Sequence, residues 1–364
     1  MGDRHMAEGR RHLGRPAPVS SPASRELWRE VYESDPHALI YHSPSWSDVL
    51  CDQTGYEDAS RLYVLPGRRM AVLPLVRRRA LGTTLWEASY PPAWGEGGLI
   101  ATGGVADADL AAMFADLGRV RAGRISLRPN PLMAPAYERV RPPGVVAVPR
   151  LAHVLDLAGG FDHVWRSRFT GTARTAVRKA ERSGVTVEYD GTGRLLPVYY
   201  GLYERSLDRW SAQQHEPRVL ARWRGHRRDP LRKLQAIAGA LGERYRVWLA
   251  RVEGQPAAGI VVVRGPSATY VLGAMVKDLA GPTRANYLLH RLAIEDACVA
   301  GCRYYHMGES GESERLAQFK TRFGATPQPS ADYHVDPFHV TAADRLWRTA
   351  VKRVLGFMDA PAIG

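Results

Sequence analysis

The chain has 364 residues, of which 45% are hydrophobic and 24% are charged, a composition typical of a globular protein with two compact domains or one large one. It contains no run of about eighteen apolar residues, so we expect no membrane-spanning helix. The net charge of +13 favours a polyanionic partner, nucleic acid ahead of a membrane surface, although an arginine-rich genome gives the same excess.

The N-terminal segment is polar, basic and rich in proline and serine. It lacks the apolar stretch of a signal peptide, so we expect a cytoplasmic protein with a disordered leader over residues 1–24, in which residues 1–5 resemble a tag remnant. The three cysteines, Cys51, Cys298 and Cys302, are too few for a disulfide framework. No histidine or aspartate is spaced to complete a metal site with them, so we expect packing thiols and no metal.

The first half of the chain predicts both helices and strands. An amphipathic helix is expected over 24–36, and a second helix begins after Ser45, a candidate N-cap that precedes Trp46. The proline-rich segment 141–150 predicts a domain boundary. Between the second helix and this boundary we expect strand-like stretches at 61–66, 68–79 and 83–90 and a glycine turn at 91–98. A helix at 107–120 and a strand at 123–130 follow.

The second half repeats these kinds of element in a similar order. A long basic helix is predicted over 161–184 with Gly184 as its C-cap glycine, and another over 229–241 with Asp229 as N-cap and Pro230 in its first turn. The other expected elements are strands or meanders at 152–158, 185–190, 245–254, 256–275 and 303–310, and helices at 195–210, 283–302, 313–325 and 341–357. This doubled pattern predicts an α+β fold.

The motifs of several common enzyme classes are missing from the sequence. It has no HExxH, CxxC, GxSxG or GxxxxGK, and no GxGxxG follows a predicted strand. At no predicted strand-to-helix junction does it carry the Arg/Gln-x-x-Gly-x-Gly/Ala loop that would hold the pyrophosphate of coenzyme A through backbone N–H groups. These absences argue against zinc proteases, serine hydrolases, P-loop enzymes and nucleotide-dependent dehydrogenases.

Two basic features could carry function. Arg174, Arg178 and Arg182 recur every four residues and form one stripe on the predicted basic helix, which Lys179 widens. The stripe predicts either an anionic substrate or a solvated surface. Near the end of a short helix, Lys320 directly follows Phe319, and this lysine is either catalytic or an ordinary cation at a helix C-terminus.

Several segments together carry a resemblance to a known family. They are Trp165 with the run 174–188, the helical segment 199–210, the run 285–310 followed by 315–325, and the early segment 42–50 around Trp46. In this order and spacing they resemble the FemABX-type transferases and the related GNAT-like N-acyltransferases. The resemblance extends from about residue 25 to residue 340.

The resemblance implies two tandem GNAT-like domains, each with a mainly antiparallel sheet flanked by helices, and a cleft between them. We therefore expect domain 1 over residues 25–150, domain 2 with the transfer site over residues 151–328, and a C-terminal segment, residues 329–364, that returns to domain 1.

The chemistry implied is transfer of an aminoacyl group from aminoacyl-tRNA to an amine, which forms an amide bond. No cofactor or metal is needed, because the donor ester is already activated, and aminoacyl-tRNA acts as co-substrate. The high positive charge and the missing pyrophosphate loop both fit a tRNA donor. A small-molecule or peptide acceptor from natural-product or cell-wall-related biosynthesis is expected.

The resemblance also implies roles for individual residues. Phe319 and Lys320 correspond to the Phe-Lys pair of the transfer site, where a fixed ammonium would stabilise the developing oxyanion and Phe319 would pack against the donor's ribose or adenine. Arg209 corresponds to an arginine that binds acceptor phosphates in the peptidoglycan branch. That branch has a lysine after its early tryptophan, whereas Ser47 follows Trp46 here, which favours an acceptor without a nucleotide diphosphate.

The remaining site assignments follow from these roles. Glu309, Glu312 and His306 flank the segment before Lys320 and are the candidates for the base that takes the amine's proton, with Glu309 as our choice. Trp46, Arg174, Arg178 and Lys179 join Arg209 as predicted substrate-binding residues.

Two other functions stay open at this point. One is an N-acyltransferase of the same fold that uses acyl-CoA or an acyl carrier protein, whose acidic surface would also suit a basic enzyme. The other is a basic RNA-binding module without activity, for which Lys320 would be dispensable and RNA binding strongly salt-dependent.

Overall fold

The structure, a computed structural model, describes residues 18–311, 313–336 and 341. Helices and strands alternate along this range, as expected for an α+β chain. The described helices are α1 (Arg25–Ser34), α2 (Pro44–Thr54), α3 (Asp107–Leu117), α4 (Ala134–Val140), α5 (Gly160–His163), α6 (Gly171–Arg182), α7 (Leu196–Gln213), α8 (Arg218–Arg228), α9 (Leu231–Leu241), α10 (Lys277–Thr283), α11 (Ala285–Val299) and α12 (Glu314–Thr321).

The strands of the same range form two sheets. They are β1 (Pro18–Ser20), β2 (Glu57–Asp58), β3 (Arg61–Val64), β4 (Met70–Leu73), β5 (Val76–Ala80), β6 (Thr83–Ala88), β7 (Ile100–Ala101), β8 (Arg124–Leu127), β9 (Val145–Asp156), β10 (Thr186–Asp190), β11 (Tyr245–Val252), β12 (Gln255–Arg264), β13 (Ala268–Met275), β14 (Tyr304–Glu309) and β15 (Thr326–Val335).

One sheet runs through both halves of the chain. The smaller sheet has the order β1-β3-β4-β7, and the larger has the order β10-β11-β12-β13-β14-β9-β15-β8-β6-β5-β2. All pairs in the larger sheet are antiparallel except β13 with β14 and β6 with β8. The predicted fold class, α+β with mainly antiparallel sheets flanked by helices, is confirmed, and the two halves share a continuous sheet.

The hydrophobic core also crosses between the halves. One cluster of buried residues combines Trp28, Tyr41 and Trp46 of the N-terminal half with Tyr199 and Tyr245 of the C-terminal half. A second cluster lies within the C-terminal half, and a third joins residues of the N-terminal half to Tyr333 on β15. Such a shared apolar core favours a fixed arrangement of the halves, because separating them would expose large aromatic side chains to water.

The structure corrects two predicted helix starts. Helix α2 has Ser43, not Ser45, as its N-cap: the Ser43 hydroxyl accepts the Trp46 N–H at 3.3 Å, and Pro44 takes the first helical position, which suits a residue without an N–H. Helix α9 begins one residue later than predicted, after Pro230, and Asp229 is instead engaged by the side chain of Lys233.

The long basic helix predicted over 161–184 is two helices. Residues 164–168 form a π-helical turn after α5, Phe169 is extended, and α6 begins anew at Gly171. Thr170 is the N-cap, since its hydroxyl accepts the Ala173 N–H at 3.3 Å. The break allows Phe169 to turn into the core, where it packs edge-on against Phe323.

Two segments that were predicted to lack regular structure contain strands. The proline-rich segment expected as a boundary contains the start of β9, which pairs with β15 along ten residues. In the expected leader, β1 pairs with β3 and the Ala23 N–H donates to Ser60 Oγ at 3.0 Å, so residues 18–24 depart from the expected disorder. The helix predicted over 341–357 lies, apart from residue 341, outside the described residues. No described helix combines the length and apolar character needed to cross a bilayer.

Candidate active site

The central strands of the large sheet part in the C-terminal half. Strands β13 and β14 pair in parallel only at Ala268 with Tyr305 and Thr269 with His306. Beyond these pairs β13 continues to Met275, while β14 ends at Glu309 after a register shift in which Gly308 has a φ of +69°. The strands therefore diverge, and the open angle between them leaves room for ligands inside the sheet.

Two adjoining cavities lie at this opening. The first, the lysine cavity, has a volume of about 520 Å³ and is lined by Lys320, Glu309, Met307 and residues of α7 and α8. The second, the cationic cavity, has a volume of about 540 Å³ and is lined by the end of β13 and by α10, α11 and α12. The two cavities share a wall, which is formed by Trp210, Tyr270, Gly273 and Leu316.

Basic side chains dominate the cationic cavity. No described aspartate or glutamate lines it. Arg284 has a φ of +61°, which is unfavourable for a residue with a Cβ, and it occupies the junction of α10 and α11. The basic side chains in its wall are Arg209, Lys277, Arg284, Arg315 and Arg322.

Lys320 lies near the end of α12, a helix that begins where the Ser313 hydroxyl accepts the Leu316 N–H at 3.3 Å. The lysine is 2% exposed, and its ammonium donates to the backbone carbonyl of Glu309 at 2.6 Å. No described carboxylate is within ion-pair distance of Nζ. Burial without a counter-charge lowers the pKa of Lys320 to about 7, so this amine changes charge near neutral pH.

Neutral and aromatic groups surround the lysine. Burial, and secondly the charge of Lys320, lower the pKa of His290 to about 3, and the same two causes lower the pKa of His153. Both imidazoles therefore stay uncharged. Phe319 packs edge-on against Tyr287 at 5.1 Å between ring centroids and against His290 at 5.4 Å, and it lines the cationic cavity. The Phe-Lys pair thus contributes one residue to each cavity.

Glu309 is held by a line of alternating charges on four neighbouring strands. Its carboxylate on β14 forms an ion pair with Arg150 on β9. Arg150 also donates to Asp332 on β15 at 2.8 Å, and Asp332 in turn accepts from Arg128 on β8 at 2.8 Å. Glu96 lies close to this charge ladder, and burial raises its pKa to about 7 against the opposing charges of Arg150 and Arg128.

The other candidate bases differ in accessibility. His306 is 2% exposed and lines neither cavity, and burial, followed by the nearby His42 and His37, lowers its pKa to about 3. Glu312 lies outside the described residues. Among the described candidates Glu309 is therefore the one that lines a cavity, and its carboxylate is paired with Arg150.

The predicted substrate-binding residues fall into two groups. Arg209 lines the cationic cavity, where it donates to the Met275 carbonyl at 2.6 Å, and burial lowers its pKa against the opposing charge of Asp278. The other four lie outside both cavities.

Trp46 and Arg174 have structural contacts instead. Trp46 is 3% exposed in the core, and its indole N–H donates to the Trp94 carbonyl at 3.0 Å. The Arg174 guanidinium donates to the carbonyls of Trp165, Arg166 and Phe169, which satisfies backbone groups where the π-helical turn ends. Arg178 and Lys179 are exposed on α6.

Sequence reasoning missed most of the cationic cavity. Lys277 and Arg284 lie at the two ends of α10, and Arg315 and Arg322 lie at the two ends of α12, so only folding brings the two pairs into one cavity. No group of three or more metal-ligating side chains occurs within the described ranges.

Comparisons with known proteins agree with this architecture. The family described as Acetyltransferase (GNAT) domain matches residues 167–321. FemX has a similar structure, with a TM-score of 0.63 at 12% identity over 88% of this chain and 98% of FemX. A conserved protein of unknown function from Bacteroides thetaiotaomicron VPI-5482 matches with a TM-score of 0.53 at 9% identity, over 87% of this chain and 99% of its own.

No curated protein matches the chain. The predicted resemblance to the FemABX-type and GNAT-like transferases is confirmed as a likeness of fold. The parted strands and both cavities draw most of their lining residues from the segment that the acetyltransferase domain matches. The fold is therefore GNAT-like, and the candidate site lies in the segment that the domain model matches.

Proposed function

We propose that this chain is an aminoacyltransferase, which moves an aminoacyl group from aminoacyl-tRNA to an amine of a small-molecule or peptide acceptor. The observation that carries the proposal is the pairing of a cavity lined by five basic and no described acidic residues with a neighbouring cavity that holds a buried lysine. Phosphates of the donor's 3′ end suit the cationic cavity. The acceptor amine would enter the lysine cavity and meet the donor ester at the wall that the two cavities share.

The chemical step needs little beyond positioning and charge stabilisation. The acceptor nitrogen attacks the ester carbonyl, the C–N bond forms, and the bond from the carbonyl carbon to the ribose oxygen breaks. The proton lost by the amine ends on that ribose oxygen, so tRNA leaves with a free hydroxyl. Negative charge develops on the carbonyl oxygen, and the Lys320 ammonium, fixed by the Glu309 carbonyl, would stabilise it in a poorly hydrated site.

Burial of Lys320 suits this role. Because the ammonium has no carboxylate partner, it does not have to break an ion pair before it stabilises the oxyanion. The site therefore needs little reorganisation during the reaction. The Glu309 carboxylate, by contrast, is already paired with Arg150, and we assign it the task of orienting its own carbonyl towards Lys320. Phe319 would form an apolar wall for the terminal adenosine.

An acyl-CoA or acyl carrier donor is the second candidate. The match to an acetyltransferase domain favours it, and basic side chains around α10 and α11 could also bind the phosphates of coenzyme A. The same site geometry would then serve a thioester instead of an ester.

The experiment that separates these donors uses purified protein and a panel of amine acceptors. Total tRNA charged with radiolabelled amino acids is one donor, with and without RNase, and acyl-CoA is the other. We expect RNase-sensitive transfer that Lys320→Met abolishes and that Arg119→Met, on an exposed side chain of the N-terminal half, leaves unchanged. Transfer from acyl-CoA alone would refute the tRNA donor, and full activity of Lys320→Met would refute the role of the lysine.

A further inference from the structure

Helix α8 presents an unusual outer face next to the lysine cavity. It carries five arginines and no acidic residue. Val219, Trp223 and Arg227 recur every four residues and therefore form one stripe. Val219 is 82% exposed and Trp223 is 57% exposed, whereas a large aromatic side chain without a partner is normally withdrawn from water.

The stripe combines an aromatic surface with a free positive charge. The Arg227 guanidinium lies 5.4 Å from the centroid of the Trp223 ring, and among the described residues it has no carboxylate partner. Because Trp223 is still 57% exposed, this cation–π contact leaves much of the indole surface available to a partner.

The carboxylates that neutralise the other arginines lie beneath the helix. Glu216 and Asp229 are buried, and they hold Arg224 at 2.6 Å and Arg228 at 2.8 Å. The remaining two arginines of the helix, Arg218 and Arg222, share the carboxylate of Asp208. The acids thus face the protein, and the side chains of Arg218, Arg224 and Arg228 keep more than half of their surface exposed.

The opposite face of α8 lines the lysine cavity through Ala221, Arg224, Gly225 and Arg228. The helix lies close to α7, because an added Cβ at Gly225 would come within 2.5 Å of Leu207. One short helix therefore carries both the wall of the cavity and the exposed aromatic-cationic stripe. A chain that stacks on the stripe would reach the cavity within one helix diameter, about 10–12 Å.

We propose that the outer face of α8 docks the single-stranded 3′ end of an RNA, with a base stacked on Trp223 and phosphates on Arg227 and its neighbours. The proposal rests on the proposed function, for which it brings the donor past the lysine cavity to the wall that this cavity shares with the cationic cavity. Single-stranded nucleic acid is bound by this combination of aromatic platforms and cations. An acidic carrier protein would use the arginines but has no need of an exposed indole.

The test measures binding of deacylated tRNA, followed by fluorescence anisotropy at two salt concentrations, without any transfer reaction. Trp223→Ala should weaken binding about tenfold, while Trp223→Phe, which keeps a stacking ring, should retain most of the affinity. Arg227→Ala should reduce the slope of log affinity against log salt by about one. Arg119→Ala, an exposed arginine of the N-terminal half, is the matched control and should bind as wild type.

A second probe locates the contact on the RNA. A tRNA that lacks its single-stranded 3′ nucleotides should bind wild type weakly, with the affinity that intact tRNA has for Trp223→Ala. The Trp223→Ala variant should bind intact and trimmed tRNA equally. Equal binding of both RNAs by wild type, or an unchanged affinity of Trp223→Ala for intact tRNA, would overturn the docking proposal.

The outcomes separate this inference from the proposed function. Transfer from aminoacyl-tRNA that is insensitive to Trp223→Ala would leave the function standing and remove the docking face. RNA binding that depends on Trp223 without any transfer would support the docking face and refute the proposed function. Loss of binding to an acidic acyl carrier protein in Arg227→Ala, with no effect on tRNA, would assign the face to the carrier and overturn the RNA proposal.

Discussion

Replacing Lys320 by methionine should make the protein more stable near pH 6 and less stable near pH 10. The Lys320 amine destabilises the folded protein at every pH at which the unfolded chain binds its proton more readily than the folded chain does. Its pKa falls from the ordinary 10.5 to about 7, and this difference corresponds to about 5 kcal/mol of unfavourable free energy below pH 7. The penalty diminishes as the pH rises from about 7 to 10.5, because the folded-state amine is then neutral.

Methionine removes this penalty but leaves the Glu309 carbonyl without its donor, at a cost of about 1–3 kcal/mol. The net gain near pH 6 is therefore about 2–4 kcal/mol, and it should change sign near pH 9. For a chain of 364 residues the entropy of unfolding is about 0.8 kcal/mol/K, so the expected rise in Tm near pH 6 is about 4 °C. Differential scanning calorimetry from pH 6 to pH 10 measures it.

Lys233 provides a matched control, because it is also buried but has a counter-charge. Its ammonium donates to Asp229 at 2.9 Å and to the Ala93 carbonyl at 2.6 Å. Lys233→Met leaves a buried carboxylate unpaired and should destabilise by about 3–5 kcal/mol at pH 7. A loss of stability for Lys320→Met at pH 6, or a difference from wild type that does not vary with pH, would refute the account of an unpaired buried ammonium.

Three other substitutions have distinct expected effects. Gly273→Ala places a Cβ 2.1 Å from the Tyr270 hydroxyl and should push that ring into both cavities, which lowers kcat/KM at least about tenfold in steady-state kinetics. Arg150→Met leaves the Glu309 carboxylate without its guanidinium and should lower the free energy of unfolding by about 3 kcal/mol in urea titrations. Arg284→Gly relieves the positive φ and should stabilise by up to about 1 kcal/mol, while donor affinity, measured by titration, falls.

Local periodicity predicted the packed faces of helices well. The apolar spacing in α1 correctly indicated its inner side, where Val31 and Tyr32 are buried. It failed at Phe169, because the basic repeat on either side has helical spacing throughout. The signal for the break was present in Thr170 and Gly171, an N-cap followed by a flexible residue, but it competes locally with a strongly amphipathic pattern.

Charge spacing was a poor guide to which arginines line the cavities, for a related reason. The stripe through Arg174 and Arg178 reports only which side chains share a helix face. Whether an arginine meets a ligand, a carbonyl or water depends on the segment packed against that face. Arg174 meets the carbonyls of a preceding turn, and Arg178 meets solvent. Lys320 was found through a motif that resembles a family, whereas its neighbours His153 and His290 come from distant segments and left no local signal.

The continuous sheet helps to hold Lys320 in its buried position. An uncompensated ammonium persists in a protein only if the surrounding structure cannot rearrange to hydrate it. The carbonyl that holds it belongs to Glu309, whose side chain is tied by Arg150 and Asp332 to β8 in the N-terminal half. The charge ladder across β14, β9, β15 and β8 therefore fixes the lysine against the whole molecule. A cleft between two independently moving domains would not provide this restraint, so a lysine of low pKa and a sheet shared by both halves are two parts of the same arrangement.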